Sequence, residues 1–190
     1  MKAVAASETL EYCLVTKVTE AGQLEGFIVA SSRLDAFRSL VDSSLEIVSV
    51  FPGSELIGAT YSHSFASQDF SLQVIASPYV KDSSGTGLVH TAPAHGMDDY
   101  TVYQKHRESP GIMDGAFLNP VDEDGCYASE IFACVSNQAD GRKLLGLPVL
   151  REGNKAVHEM LKKGGHLIKA ETIVHSYPCD WRTKEPVIVR

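Results

Sequence analysis

Gly85-Thr-Gly-Leu-Val-His-Thr-Ala-Pro-Ala-His-Gly-Met-Asp-Asp-Tyr100 gathers two histidines, two adjacent acids and four glycine or proline breakers around a short apolar run. Residues 86–91 are expected to be extended, because Pro93 disfavours helix just before it. Asp98 to about Arg107 then reads as a helix. Its acids fall in the first turn and Lys105, His106 and Arg107 in the last, the charge order a helix dipole favours. The turn-forming run Lys81-Asp-Ser-Ser84 leads in, and Pro110-Gly111 leads out. The stretch is a strand, a tight turn and a helix carrying most of the chain's clustered reactive groups.

The flanks read mainly as short strands. Glu11–Val18 and Gly26–Ala30 are β-rich, and Thr19–Glu25 between them has hairpin chemistry. Ser32–Val41 places Leu34, Phe37, Leu40 and Val41 on one helical face, with Ser31 or Ser32 as cap. Strands resume at Leu45–Phe51 and Phe70–Ala76. Residues 110–150 carry turn signals (Asn119-Pro120, Asp124-Gly125, Gly141, Gly146) and read as loop with short strands. Asn154 caps an expected helix over Lys155–Lys163 that stops at Gly164-Gly165. Strands near Glu171–His175 and Pro186–Arg190 close the chain. The expectation is one mixed domain over residues 1–190, mainly β with three or so peripheral helices, built on a barrel-like, strongly curved antiparallel sheet.

Composition narrows the function. With 190 residues, 44% hydrophobic and 22% charged, the chain is an ordinary globular one long enough for one core. No apolar run approaches the ~20 residues of a membrane span, and the start resembles neither a signal nor a transit peptide. The four cysteines, Cys13, Cys126, Cys134 and Cys179, form no C-x-x-C pair, which points to reduced thiols inside a cell. A net charge of −7 argues against general polyanion binding, but not against a grip on the end of a nucleic acid. Lys162, Lys163, Lys169, Arg182, Lys184 and Arg190 gather toward the C-terminus, where a solvated face explains most of them.

The stretch at 85–100 admits several chemistries. Gly85-x-Gly87 lacks the third glycine of a dinucleotide loop, since position 90 is His, and it leads into a strand. No Walker A pattern or G-x-S-x-G elbow occurs. His90, His95, Asp98 and Asp99 match metal-ligand pairings only loosely. In a purely structural reading Asp98 caps the helix, Asp99 answers its dipole, and the histidines make polar contacts. In a functional reading the strand end and helix start wall a pocket. Asp99, kept ionised by the helix N-terminus, would grip an ammonium group there, with His90 beside it as hydrogen-bonding wall.

The same residues resemble the core motif of the inserted editing domain of isoleucyl-tRNA synthetases. His175-Ser-Tyr-Pro-Cys-Asp-Trp-Arg-Thr-Lys-Glu-Pro-Val-Ile-Val-Arg190 resembles the strand by which that insertion returns to the catalytic domain. Pro52–Gly58, Val121–Gly125 and Glu152–Val157 fit the same family in matching order. Valyl enzymes typically carry Lys, and leucyl enzymes Met, where His90 stands, so Val89–Gly96 looks isoleucyl. Cys179-Asp-Trp-Arg-Thr-Lys184 is similar to organellar and some bacterial forms, which implies an intracellular protein, of the mitochondrial matrix rather than the cytosol.

The resemblance implies a class I ligase whose inserted domain is also a deacylase. A hydrophobic pocket separates isoleucine from valine by one methylene, worth only ~1–3 kcal/mol, the standard illustration of why a second sieve is needed. Valine would be hydrolysed from misacylated tRNA(Ile), whose 3′ end is the implied partner together with the synthetase's own catalytic domain. Asp99 would hold the α-ammonium, His90 would help reject isoleucine and position the ester, and Thr91 would join the substrate-binding set. His95 would line the side of the terminal adenosine. No metal or cofactor is implied for this domain; ATP and Mg²⁺ belong to the catalytic domain, whose signatures do not occur here. The family's threonine-rich strand precedes the segment matched by Ala3–Ala6 and is missing from this sequence. The expected result is a fragment that deacylates weakly or not at all. Two alternatives stay open: a valyl or leucyl editing domain, and a non-catalytic module binding the tRNA acceptor end.

Overall fold

Alternating side chains make the strand β2 (Glu11–Val18), which pairs antiparallel with β3 (Leu24–Ala30) and β4 (Glu46–Pro52) in the order β3-β2-β4. The computed structural model describes residues 3–65, 71–107, 119–172 and 177–190. It divides into two compact units. One comprises Met1–Tyr61, Ser71–Ala92 and Thr101–Met113, the other Ser62–Phe70, Pro93–Tyr100 and Asp114–Arg190.

In the first unit Cys13 faces Val29 and Val15 faces Phe27 across the strands, so all four project from one side of the sheet. The helix α1 (Leu34–Leu40) covers that side, burying Leu34 with Cys13, Val15, Val29 and Leu45, and bringing Phe37 edge-on to Phe27 at 5.5 Å. Each such burial is worth roughly 1.5–3 kcal/mol. The register slips between Leu14 and Val15 against β4, a bulge that bends the edge strand. A single 3₁₀ turn, Ser31–Arg33, precedes α1, and no side chain caps either element. Ser32 instead donates its hydroxyl to Asp82 at 2.9 Å, so neither Ser31 nor Ser32 is the expected cap.

A second sheet has the order β5 (Thr60–Ser62), β6 (Ser71–Ala76), β1 (Ala3–Ala6), β7 (Val89–Thr91). β1 runs parallel to β6 and antiparallel to β7. Its alanines at 3, 5 and 6 are fully buried between these neighbours and form no pattern a sequence reading would single out as a strand. The expected mixture of strands with peripheral helices is present. It is arranged as two sheets, one containing a parallel pair, and among the described residues neither closes into a barrel. Behind β1 and β6, Ala3, Ala5, Ile75 and Val80 pack with Val102 and Tyr103 of the helix α2 (Met97–His106).

The second unit is richer in helix than expected. Isolated bridges Val121–Tyr127 and Cys126–Pro148 frame the Asp122–Gly125 turn, in which the Asp122 carboxylate accepts the Asp124 and Cys126 amides at 3.0 and 2.8 Å. Two short helices follow, α3 (Ile131–Cys134) and α4 (Gln138–Leu144), where a loop was expected. Asn137 caps α4, accepting the Ala139 amide at 2.9 Å. A π-type turn, Val149–Gly153, runs straight into α5 (Asn154–Lys163). Asn154 is therefore a helical residue and not the cap, which is Gly153. The stop at Gly164-Gly165 is as expected, with His166 N–H reaching the Leu161 carbonyl at 2.9 Å.

Of the two expected closing strands, most of Glu171–His175 lies outside the described residues. Among the described residues Pro186–Arg190 forms one bridge, Cys179–Pro186; the Val187 amide donates to the Pro178 carbonyl, and the Val189 carbonyl faces His95 Nδ1. No helix among the described residues is long and apolar enough to cross a membrane, and all four cysteines are free thiols.

Candidate functional site

Three captured carbonyls hold the loop that opens the motif. Tyr12 Oη donates to Gly87 O at 2.7 Å, the Ala30 amide to Thr86 O at 2.8 Å, and Arg33 Nε to Gly85 O at 3.2 Å. Gly85 and Gly87 both have left-handed backbone, with φ of 66° and 77°. At Gly87 a Cβ would stand 2.5 Å from the Ala30 Cβ, so the loop approaches β3 as closely as only glycine allows.

The loop delivers the chain into β7, where Val4 pairs with His90 and Ala3 with Thr91. Successive strand residues face opposite ways. His90 is exposed, while Thr91 is 0% exposed and its hydroxyl lies 3.3 Å from that of Tyr79. Of the two, β7 turns His90 outward and commits Thr91 to the interior.

The helix α2 begins at Met97, its backbone bonding opened by Tyr100 N–H on Gly96 O at 2.8 Å. Asp98 and Asp99 sit in its first turn and Lys105 and His106 in its last, matching the dipole. Asp98 is exposed. The half-buried Asp99 folds its carboxylate back over Gly96, where a Cβ would lie 3.4 Å from its Cγ and Oδ2. A carboxylate in that place is suited to a charge-assisted bond with an ammonium group. At the far end, the His106 ring nitrogen Nε2 reaches the Ala76 carbonyl at 2.9 Å and pins the helix to β6.

His95 Nδ1 lies 2.9 Å from the Val189 carbonyl. A carbonyl can only accept, so Nδ1 carries the proton and a neutral ring presents Nε2 as its acceptor. His90 and Thr91 belong to the first unit, His95 and Asp99 to the second. Among the described residues no three His, Cys, Asp or Glu side chains gather as a metal site. The residues that sequence reasoning missed are Tyr12, Arg33 and Tyr79. Tyr12 stands 75 positions from the carbonyl it holds, and no local pattern announces such a partner.

The fold places the chain among known proteins. A leucyl-tRNA synthetase CP1 domain matches with a TM-score of 0.58 over 90% of this chain and 79% of its own, at 16% identity. The editing domain of the P. falciparum cytosolic leucyl-tRNA synthetase matches with a TM-score of 0.56 over 90% and 74%, at 12% identity. The architecture is that of a tRNA synthetase editing domain.

Sequence relatives fix the branch. Isoleucine–tRNA ligase of Acaryochloris marina is 39% identical over 177 residues, covering 93% of this chain and 16% of the relative. That of Thermosynechococcus vestitus is 37% identical over 188 residues, covering 99% and 18%. The mitochondrial enzyme of Mus musculus is 37% identical over 176 residues, covering 93% and 16%. The chain belongs to the isoleucyl-tRNA synthetase family and spans 16–18% of the length of these relatives. No protein-family model matches it.

Proposed function

We propose that this chain is the part of an isoleucine–tRNA ligase that hydrolyses valine from misacylated tRNA(Ile) after transfer. The observation that supports it best is the Val89–Asp99 motif, which turns His90 outward on β7 and sets Asp99 in the first turn of α2, in a chain related to isoleucine–tRNA ligases over nearly its whole length. Asp99 holds the α-ammonium of the misattached amino acid. His90 excludes the extra methylene of isoleucine and orients the ester, and His95 lies toward the terminal adenosine. Water adds to the ester carbonyl carbon, the bond to the ribose oxygen breaks, and that oxygen takes up a proton as valine leaves. The substrate's own neighbouring ribose hydroxyl assists, so no side-chain nucleophile and no cofactor takes part. Activation with ATP and Mg²⁺ is the work of the whole enzyme's catalytic domain.

A titration tests this reading. A non-hydrolysable valyl-adenosine analogue should move the NMR resonances of His90 and Asp99, the isoleucyl counterpart should bind far less, and Asp99→Ala should lose the valyl analogue. Shifts confined to the basic C-terminal residues would favour a non-catalytic acceptor-end module. In a synthetase carrying this segment, deacylation of Thr-tRNA or norvalyl-tRNA in preference to Val-tRNA would move the assignment to a valyl or leucyl enzyme. A mitochondrial home rests on the Cys179–Lys184 variant and on organellar relatives such as the mouse enzyme. A tagged full-length enzyme should localise to the matrix, and a cytosolic signal would refute that.

A further inference from the structure

The loop Gly85–Gly87 is held by donors from three places in the first unit, and the strongest of them is the least expected. Tyr12 is fully buried in β2, with Ala6, Ala30 and Leu56 around it and Leu88 packed against the same cluster. Its hydroxyl donates to Gly87 O at 2.7 Å and accepts the Ser7 amide at 3.1 Å, so one oxygen ties the end of β1 to the end of the loop, where it leads into β7. Gly53 lies hard against the Tyr12 ring, where any Cβ would collide with ring carbon Cε2, and this fixes the ring in place. Burial pushes the phenol up from its ordinary value, so the hydroxyl keeps its proton and remains a donor.

The geometry has a direct mechanical consequence. Gly87 is three residues before His90, and the strand between them is paired only to β1 among the described residues. β7 is thus an edge strand in the order β5-β6-β1-β7, located by its pairing with β1 on one side and by the loop anchorage at its start. Arg33, half-buried, adds a bond to Gly85 O, and the Ala30 amide adds one to Thr86 O. Removing the phenol oxygen takes a partner from Gly87 O and from the Ser7 amide together, so the end of β1 and the entry to β7 loosen at once.

We infer that Tyr12 is a positioning residue: through Gly87 it fixes the position of His90 and thereby the discrimination between valine and isoleucine. The selectivity half of this inference rests on the editing function proposed above; the positional half does not. A pocket that separates two substrates by one methylene tolerates little displacement of its wall, and a misplacement of about 1 Å costs up to about a hundredfold in well-oriented sites.

The test compares Tyr12→Phe with Arg33→Ala in the 190-residue chain. In Tyr12→Phe the His90 amide cross-peak should move, and the Ala30 amide should exchange with solvent about five- to tenfold faster, while the Val15 and Val29 amides keep their rates. The preference for the valyl over the isoleucyl adenosine analogue should fall about tenfold. Arg33→Ala, on a surface bond, should move the same resonances by less and decides the matter if Tyr12→Phe does not fold. Unmoved His90 and Ala30 signals in a folded variant, with only global stability lowered, would overturn the positioning role. If the wild-type chain binds neither analogue, the selectivity half fails for this chain, and the His90 and Ala30 signals alone judge Tyr12.

Discussion

Replacing Gly87 by alanine isolates the contact on which the geometry of the motif depends. The substitution forces a side chain into left-handed backbone at φ 77°, which costs roughly 1–2 kcal/mol. It also drives a methyl to 2.5 Å from the Ala30 Cβ, an overpacking that costs about 1–3 kcal/mol more as β3 or the loop shifts. A stiffer unfolded chain returns roughly 0.4–1 kcal/mol. The net loss should be about 1–4.6 kcal/mol, or a melting temperature lower by about 2–18 °C for a chain of this size. Gly85→Ala is the internal control, since Gly85 has φ 66° and nothing within 4 Å of its Cβ site. It should show the strain alone. Urea denaturation followed by circular dichroism reads both. Equal losses in the two variants, within about 0.5 kcal/mol, would refute the close approach of the loop to β3.

Three further outcomes are expected. Asn137→Ala should remove the α4 cap and cost about 1 kcal/mol, measured by thermal unfolding. Asp180 is held below the usual carboxylate value by the Thr183 amide first and the Arg182 amide next. A depressed folded pKa means its contribution is complete above the ordinary value of 3.8 and is lost as pH falls through the folded value, so acid should loosen the 179–186 loop. The fluorescence of Trp181, which carries Arg182 over its ring at 4.7 Å, should report that change, and a flat profile below pH 4 would contradict it. With Ellman's reagent the exposed Cys179 should react in the native state. Cys13, whose thiol burial pushes up, should react only on unfolding; early labelling of Cys13 would count against the β2–α1 core.

Legibility followed the locality of the cause. β2 was read with its observed bounds and α2 within one residue at each end, because alternation, breakers and charge order are all local signals. The helix α4 was hidden by Gly141, read as a turn. That glycine is buried where a Cβ would come 2.6 Å from the Phe132 ring, so it permits α3 to pack on α4 instead of ending a helix. Pro186–Arg190 has the composition of a strand and, among the described residues, forms a one-residue bridge at Pro186. At the site, the extended backbone at His90 and the first-turn place of Asp99 were legible from the motif. The inward commitment of Thr91 depends on Tyr79, and the anchorage of the loop on Tyr12. Both require knowing which segments meet.

The central claim concerns valine and one carboxylate, and one measurement tests it most directly. An isoleucyl-tRNA synthetase carrying this segment as its editing domain would be assayed for deacylation of Val-tRNA(Ile) and Ile-tRNA(Ile), with and without Asp99→Ala. The account predicts rapid loss of valine, retention of isoleucine, and abolition of valine release by Asp99→Ala while aminoacylation continues. Valine release that survives Asp99→Ala, or isoleucine released as readily as valine, would contradict it.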